Sequence, residues 1–299
     1  TEAVFTYRVG TWSHECNVRW SDLELDEGAE GVAACLLNIG LCALVWPFMA
    51  RPRDSIRIDP RAGRLTDEQR LWWRQLYRDA LVEFAVCNKL PALPEPDVLA
   101  EAPCTAPSPP ACSGDPRRGF CGLGGGKDSL VAMGLLQEQL HAAPSAPGLR
   151  PTWLYSAADG HDEFGKCKLM HRIVETSAAD IVVVSHDPGY PELEAATEPG
   201  LRFGVVGGPV CLLIALDAVL ASLLIGARGG GYSFMAVGNE RSANFGNGFS
   251  YLGADVNHQW EKGLAFERSL SDYIDGQLLR GFRYFSPLAT LWEDQIAGY

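Results

Sequence analysis

The spacing of apolar positions changes character along the chain. Val4–Val9 and Asn17–Leu25 read as strands, and an apolar helix follows over Ala29–Phe48. A second helix is expected over Asp67–Asn88, where Trp72/Leu76, Leu76/Ala80 and Leu81/Phe84/Ala85 fall at helical intervals. Thr66 and Gln69 stand before it in capping-box spacing. Its aromatic stripe reads as core and carries no function. From Pro91 to Arg118 the composition turns to Pro, Ala, Ser and Cys, and repeated proline rules out a helix interior or central strand. That span is a linker or surface insertion. A shorter Pro-rich break covers Ala143–Pro151. Beyond Arg118, strand-like runs at Phe120–Leu123, Thr152–Ala157, Ile181–Ser185, Phe234–Val237 and Arg283–Phe285 alternate with helical stretches at Ser129–His141, Phe164–Ser177, Pro209–Leu224 and Trp260–Leu279. This alternation predicts an α/β fold with a mostly parallel, doubly wound sheet over 119–299, joined through 91–118 to an N-terminal α+β region over 1–90. Ligands of such sheets bind at the carboxyl ends of the strands.

Composition narrows the function. A formal charge of −12 disfavours a nucleic-acid partner, which calls for a basic excess or stripe. It also requires any anion site to be locally basic or metal-assisted. The nine cysteines are odd in number, irregularly spaced and without a C-x-x-C pair, so neither a disulfide framework nor a zinc site is supported. Cys35, Cys42 and Cys211 lie in apolar runs and read as small buried hydrophobes. A reducing, cytoplasmic setting fits, although the chain starts at Thr1 and a trimmed organellar leader is left open. The apolar stretches Val32–Ala50 and Val205–Ala227 contain Asn38 and Pro47, and Pro209 and Asp217, respectively; they read as buried helices rather than membrane spans.

The chemistry centres on Gly124-Gly125-Gly126-Lys127-Asp128-Ser129, set between the strand ending at Leu123 and the helix from Ser129. Glycines let backbone amides converge on an anion, and the helix start points its dipole and free N–H groups at the same place. Lys127 adds a cation, Ser129 a hydroxyl and Asp128 a magnesium ligand. The pattern G-x-x-x-x-G-K-[ST] fails at Cys121 and Asp128, and G-x-G-x-x-G begun at Gly122 fails at Lys127. Two polar clusters follow. Asn239-Glu240-Arg241-Ser242 stands at a strand's carboxyl end, and Asn257-His258 opens the helix that carries Lys262 and Glu267. His258 and Lys262, four apart, would share a helical face. Asn257 reads equally as an N-cap and as a substrate contact. The stretch Asn244–Gly253 would suit a loop or lid.

The glycine segment resembles the PP-loop of ATP pyrophosphatases, with Gly124 in place of the more usual serine. With Asn239–Ala243, Val256–Glu267 and Phe285–Leu288, it also resembles the UDP-N-acetyl-α-D-muramoyl-L-alanyl-L-glutamate epimerases. The segment Ala158–Glu163 matches no pattern of that family. The resemblance implies a PP-loop, adenine nucleotide α-hydrolase-like fold. It also implies that ATP and Mg2+ serve to adenylate the terminal glutamate of a UDP-linked muramoyl dipeptide during peptidoglycan precursor synthesis. On that reading Lys127 and Ser129 hold the departing pyrophosphate and Asp128 sits near the metal. Arg241 pairs with a substrate carboxylate, with Asn239, Ser242, Asn257 and Glu267 as further substrate contacts. Glu240, His258 and Lys262 are the candidates for proton transfer. Rival readings are an amide-forming ligase or sulfur-inserting tRNA modifier of the same class, and a nucleotide-binding module without turnover. Self-association into a homo-oligomer is left open.

Overall fold

The structure is a computed structural model, and it describes every residue except 1, 22, 25, 27, 101–107, 142–149, 158–163, 165–166, 205–206 and 228–229. The first part of the chain forms β1 (Glu2–Val9), β2 (Trp12–Trp20), α1 (Val32–Ala43), α2 (Val45–Ala50), β3 (Ser55–Arg57), α3 (Asp67–Ala80), α4 (Val82–Asn88) and β4 (Asp97–Leu99). Then come β5 (Asp115–Gly122), α5 (Lys127–His141), β6 (Arg150–Ala157), α6 (Lys168–Ser177), β7 (Ile181–Asp187), α7 (Tyr190–Ala196), α8 (Val210–Gly226) and β8 (Tyr232–Ala236). The chain closes with β9 (Ser250–Tyr251), β10 (Ala254–Asp255), α9 (Leu264–Gln277), β11 (Arg283–Phe285) and α10 (Glu293–Ala297).

Seven strands form one sheet in the order β1-β2-β7-β6-β5-β8-β11. The run from β7 to β11 is parallel throughout, and the β1–β2 hairpin joins it antiparallel through β7. Neighbouring residues on the central strands enter opposite cores. Phe120, Leu154 and Met235 join the cluster under α1 and α8, whereas Cys121, Trp153 and Phe234 join the one under α5 and α6. Burial on both faces is why these strands read as unbroken apolar runs. Strand order reverses direction between β5 and β8, which makes the crevice beyond their carboxyl ends the expected ligand position.

Local chemistry explains the element boundaries. The α3 capping box forms as spaced: Gln69 N–H donates to Thr66 Oγ1 at 3.1 Å and Thr66 N–H to Gln69 Oε1 at 2.9 Å. The expected helix over Ala29–Phe48 breaks at Leu44, because Pro47 has no N–H to offer the Ala43 carbonyl. The expected Asp67–Asn88 helix divides at Leu81. The strand expected over Asn17–Leu25 runs instead over Trp12–Trp20, where it can pair with both β1 and β7. Within the Pro-rich span, β4 pairs in parallel with β3 and β5 begins at Asp115. Ala158–Glu163 lies outside the described residues.

The window Val32–Ala50 is long and apolar enough to cross a membrane, yet 72% of it is buried inside the fold. Asn38 is buried there with its partners made. It accepts from Trp73 Nε1 at 2.9 Å and from the Tyr273 hydroxyl at 2.6 Å, tying α1 to α3 and α9. Cys35, Cys42 and Cys211 are buried thiols, as their apolar settings imply.

Candidate active site

Leu123 N–H donates to the Leu154 carbonyl at 2.9 Å, so the chain leaves β5 still held by β6. It then turns through Gly125, whose φ of 74° favours a residue without a β-carbon. A β-carbon on Gly124 or Gly126 would meet nothing within 4 Å, so the bend is open to solvent. Helix α5 starts at Lys127 and presents its first amides to that opening. Ser129 Oγ donates back to the Gly126 carbonyl at 2.8 Å and closes the turn.

Lys127 Nζ lies 2.7 Å from Asp128 Oδ1 and 3.5 Å from Glu293 Oε1. The hydrogen bond to Asp128 raises the lysine pKa above its ordinary value, helped by the fields of Glu293 and Glu240. Lys127 therefore stays cationic.

The second wall of the crevice is the end of β8. Gly238 is there by steric need: a β-carbon on it would stand 2.8 Å from the Asp128 carbonyl carbon. This contact seats the Asn239–Ser242 segment against the glycine loop. Glu240 Oε1 accepts from Ser242 Oγ at 2.6 Å, while buried Glu240 Oε2 has no hydrogen-bond partner among the described atoms. Arg241 sits over the Trp292 ring at 4.8 Å, and that ring is stacked on Phe245. Arg241 is exposed and pairs with no carboxylate among the described residues. Asn239 is buried, with its carbonyl accepting from Ser286 Oγ at 2.7 Å. Glu267 accepts from Ser286 N–H at 3.1 Å, and burial raises its pKa.

The segment expected to continue one helix from Trp260 behaves differently. Trp260–Lys262 is a single 3-10 turn, and α9 begins only at Leu264, after Gly263 takes an extended ψ of 152°. His258 precedes that turn, so His258 and Lys262 share no α-helical face. His258 Nδ1 meets Asn247 Oδ1 at 2.9 Å, and both His258 and Lys262 are exposed. Asn257 accepts from Gln259 N–H at 2.9 Å and donates to the Ala243 carbonyl at 3.0 Å, which makes it a turn cap that also anchors the 241–244 turn. The Asn244–Gly253 stretch contributes β9 to a short hairpin completed by β10, and the hairpin is tied through the Tyr251 hydroxyl to the Leu90 carbonyl at 2.7 Å.

Lys127 and Asp128 thus pair at the end of the loop, and the Glu240–Ser242 pair after β8 lies near enough for Glu240's field to reach Lys127. His258 and Lys262 make no described contact with the loop. The structure adds Gly238, Trp292 and Glu293, which no spacing in the sequence announced. It also adds Glu261, whose carboxylate accepts from Cys211 N–H at 2.8 Å at the start of α8. Burial raises its pKa to about 7, against opposing hydrogen bonds from the α8 amides and the charge of Lys262.

The family described as MurL N-terminal domain matches residues 1–153 and 164–287. The chain belongs to this family. A UDP-N-acetyl-alpha-D-muramoyl-L-alanyl-L-glutamate epimerase of Xanthomonas oryzae pv. oryzae is 29% identical over 271 residues, covering 90% of this chain and 53% of that protein. Proteins of the same name from Salinispora tropica and a Micromonospora species are 29% and 30% identical, each over 74% of this chain and covering 43% and 44% of the relative. The MurL N-terminal domain chain therefore spans about half the length of the curated relatives it matches. Among solved structures, the U34-tRNA thiolase NcsA from Methanococcus maripaludis with its 4Fe-4S cluster aligns at a TM-score of 0.33 and 14% identity, over 60% of this chain and 55% of that one, which is too loose to carry an argument.

Proposed function

We propose that this chain carries the nucleotide-activating site of an ATP-dependent epimerase acting on the terminal L-glutamate of UDP-MurNAc-L-Ala-L-Glu, within a PP-loop fold. One observation carries the reading: an open glycine bend and helix start, furnished with Lys127, lie at the point where strand order reverses and touch the polar segment after β8. The names of the relatives supply the substrate class.

In this reading a carboxylate oxygen of the substrate attacks the α-phosphorus of ATP and pyrophosphate leaves toward the glycine bend. The bend's amides and Lys127 take up its charge, and Ser129 holds the turn's shape. The acyl-adenylate has no carboxylate charge beside the α-carbon, so its α-proton becomes more acidic. A base removes that proton, a proton returns on the other face, and water then cleaves the acyl–phosphate bond to release AMP. Glu240 fits the acid–base role best among the three candidates, since its field reaches Lys127 and one of its oxygens has no hydrogen-bond partner among the described atoms. Arg241, exposed over Trp292, pairs in this reading with a substrate carboxylate. Magnesium fits Asp128, the carboxylate within the loop itself.

The test is to incubate the chain with ATP, Mg2+ and the UDP-linked dipeptide in deuterated water. AMP, pyrophosphate and deuterium at the glutamyl α-carbon are expected. ADP as product would refute the loop assignment, AMP without deuterium would indicate a ligase, and nucleotide binding without any product would indicate a module that does not turn over.

A further inference from the structure

The sheet has two edges, and they are finished differently. β11 at one edge is three residues long, while β1 at the other is eight. Natural sheets blunt long edges with proline, bulges or added charge, because an unpaired row of N–H and C=O groups invites another strand. β1 has no proline, and it pairs with β2 in unbroken register from Glu2↔Arg19 to Val9↔Trp12. No strand pairs with its other side among the described residues.

We propose that this edge pairs antiparallel with β1 of a second copy of the chain, with Phe5 on the two-fold axis. The alternation of the strand sets the register. Glu2, Val4, Thr6 and Arg8 are exposed on the outer face, whereas Ala3, Phe5 and Tyr7 are half-buried against the core. A two-fold axis perpendicular to the sheet keeps outer faces together, so exposed positions must oppose exposed positions. Long overlap then leaves registers centred on Val4, Phe5 or Thr6. Centring on Val4 sets Glu2 against Thr6, and centring on Thr6 sets Arg8 against Val4. Centring on Phe5 sets Glu2 against Arg8 twice, Val4 against Thr6, Ala3 against Tyr7, and Phe5 against itself. Opposite charges and paired aromatics across strands both favour that arrangement.

The charges within one copy leave room for it. Glu2 already meets Arg19 at 3.2 Å, so an incoming Arg8 completes a ladder of alternating sign. Across β2, Arg8 faces only Ser13. The acidic group that feels its field, Asp59, is held by both nitrogens of the Arg61 fork. The proposal is independent of the nucleotide chemistry.

Sedimentation velocity on the whole chain should show a concentration-dependent dimer. Arg8→Glu should weaken it roughly tenfold by turning both cross-strand pairs repulsive. Register is read separately by cysteine cross-linking of the exposed pair. Chains carrying Val4→Cys mixed with chains carrying Thr6→Cys should form a disulfide-linked dimer, and neither chain should do so alone. A monomer at all concentrations overturns the proposal, as does a dimer indifferent to Arg8→Glu. Cross-linking of either single variant as strong as in the mixture overturns the register. Circular dichroism confirms that each variant is folded before its result is read.

Discussion

Two polar clusters sit toward the carboxyl ends of the parallel strands, and they differ in one respect. At the glycine loop, Lys127 and Asp128 stand beside an open bend, where added β-carbons on Gly124 and Gly126 would touch nothing. On the other face of the sheet, Asp217 in the middle of apolar α8 accepts from Ser156 Oγ at 3.0 Å and meets His186 Nε2 at 2.8 Å. Asp217 is 0% exposed and His186 4% exposed. Both clusters draw on residues near strand ends, yet the first is open to solvent and the second is closed off from it. The second joins β6, β7 and α8 and works as architecture. Position at a strand's carboxyl end therefore nominates a residue, and access decides.

The largest expected effect tests the sealed cluster. Asp217→Ala removes the acceptor and leaves buried His186 and half-buried Ser156 without it, which should destabilise the fold by about 3–5 kcal/mol in urea unfolding. A loss under about 1 kcal/mol would show that the pair is not what closes this layer. At the loop the expected pattern inverts. Lys127→Ala should leave stability within about 0.5 kcal/mol, because its ion pair with Asp128 is exposed, while AMP formation falls about 10²–10³-fold. If unfolding free energy drops and AMP formation does not, the contrast between the two clusters fails.

Gly238→Ala lies between these extremes. The new methyl would press on the Asp128 backbone at 2.8 Å, which is rigid helix start rather than flexible side chain. Overpacking of this kind typically destabilises by about 1–3 kcal/mol, and here it should also lower nucleotide turnover by shifting the loop. A variant of full stability and full turnover would mean that β8 and the loop are not in firm contact.

What the sequence revealed follows the same division. The glycine loop was legible because strand, glycines, lysine and helix are contiguous, so local rules suffice. Asn239–Ser242 was legible as polar residues directly after an apolar strand. Gly263 hid the break before α9, since the apolar spacing carries on across it from Trp260 to Leu264. The sealed cluster was illegible: Ser156, His186 and Asp217 come from three elements and only folding joins them. Asp217 showed in the sequence solely as an interruption of an apolar run. Trp292 and Glu293 approach Arg241 and Lys127 from the far end of the chain and leave no local signature.

Glu261 offers the most specific test, because it belongs to neither extreme. Its carboxyl is packed against the first amides of α8 but adjoins exposed Lys262. Burial holds its pKa at about 7, against an ordinary value of 4.5. The folded state then keeps a proton that the unfolded chain has already released, so the stabilising contribution is complete below pH 4.5 and is lost as pH rises to about 7. Thermal unfolding followed between pH 4 and 8 (about one carboxyl's worth of slope) should therefore show a decline through that window that Glu261→Gln flattens. An unchanged slope in the variant would mean that the proton resides elsewhere, and that Glu261 is a charged cap on α8, closer in kind to the open cluster than to the sealed one.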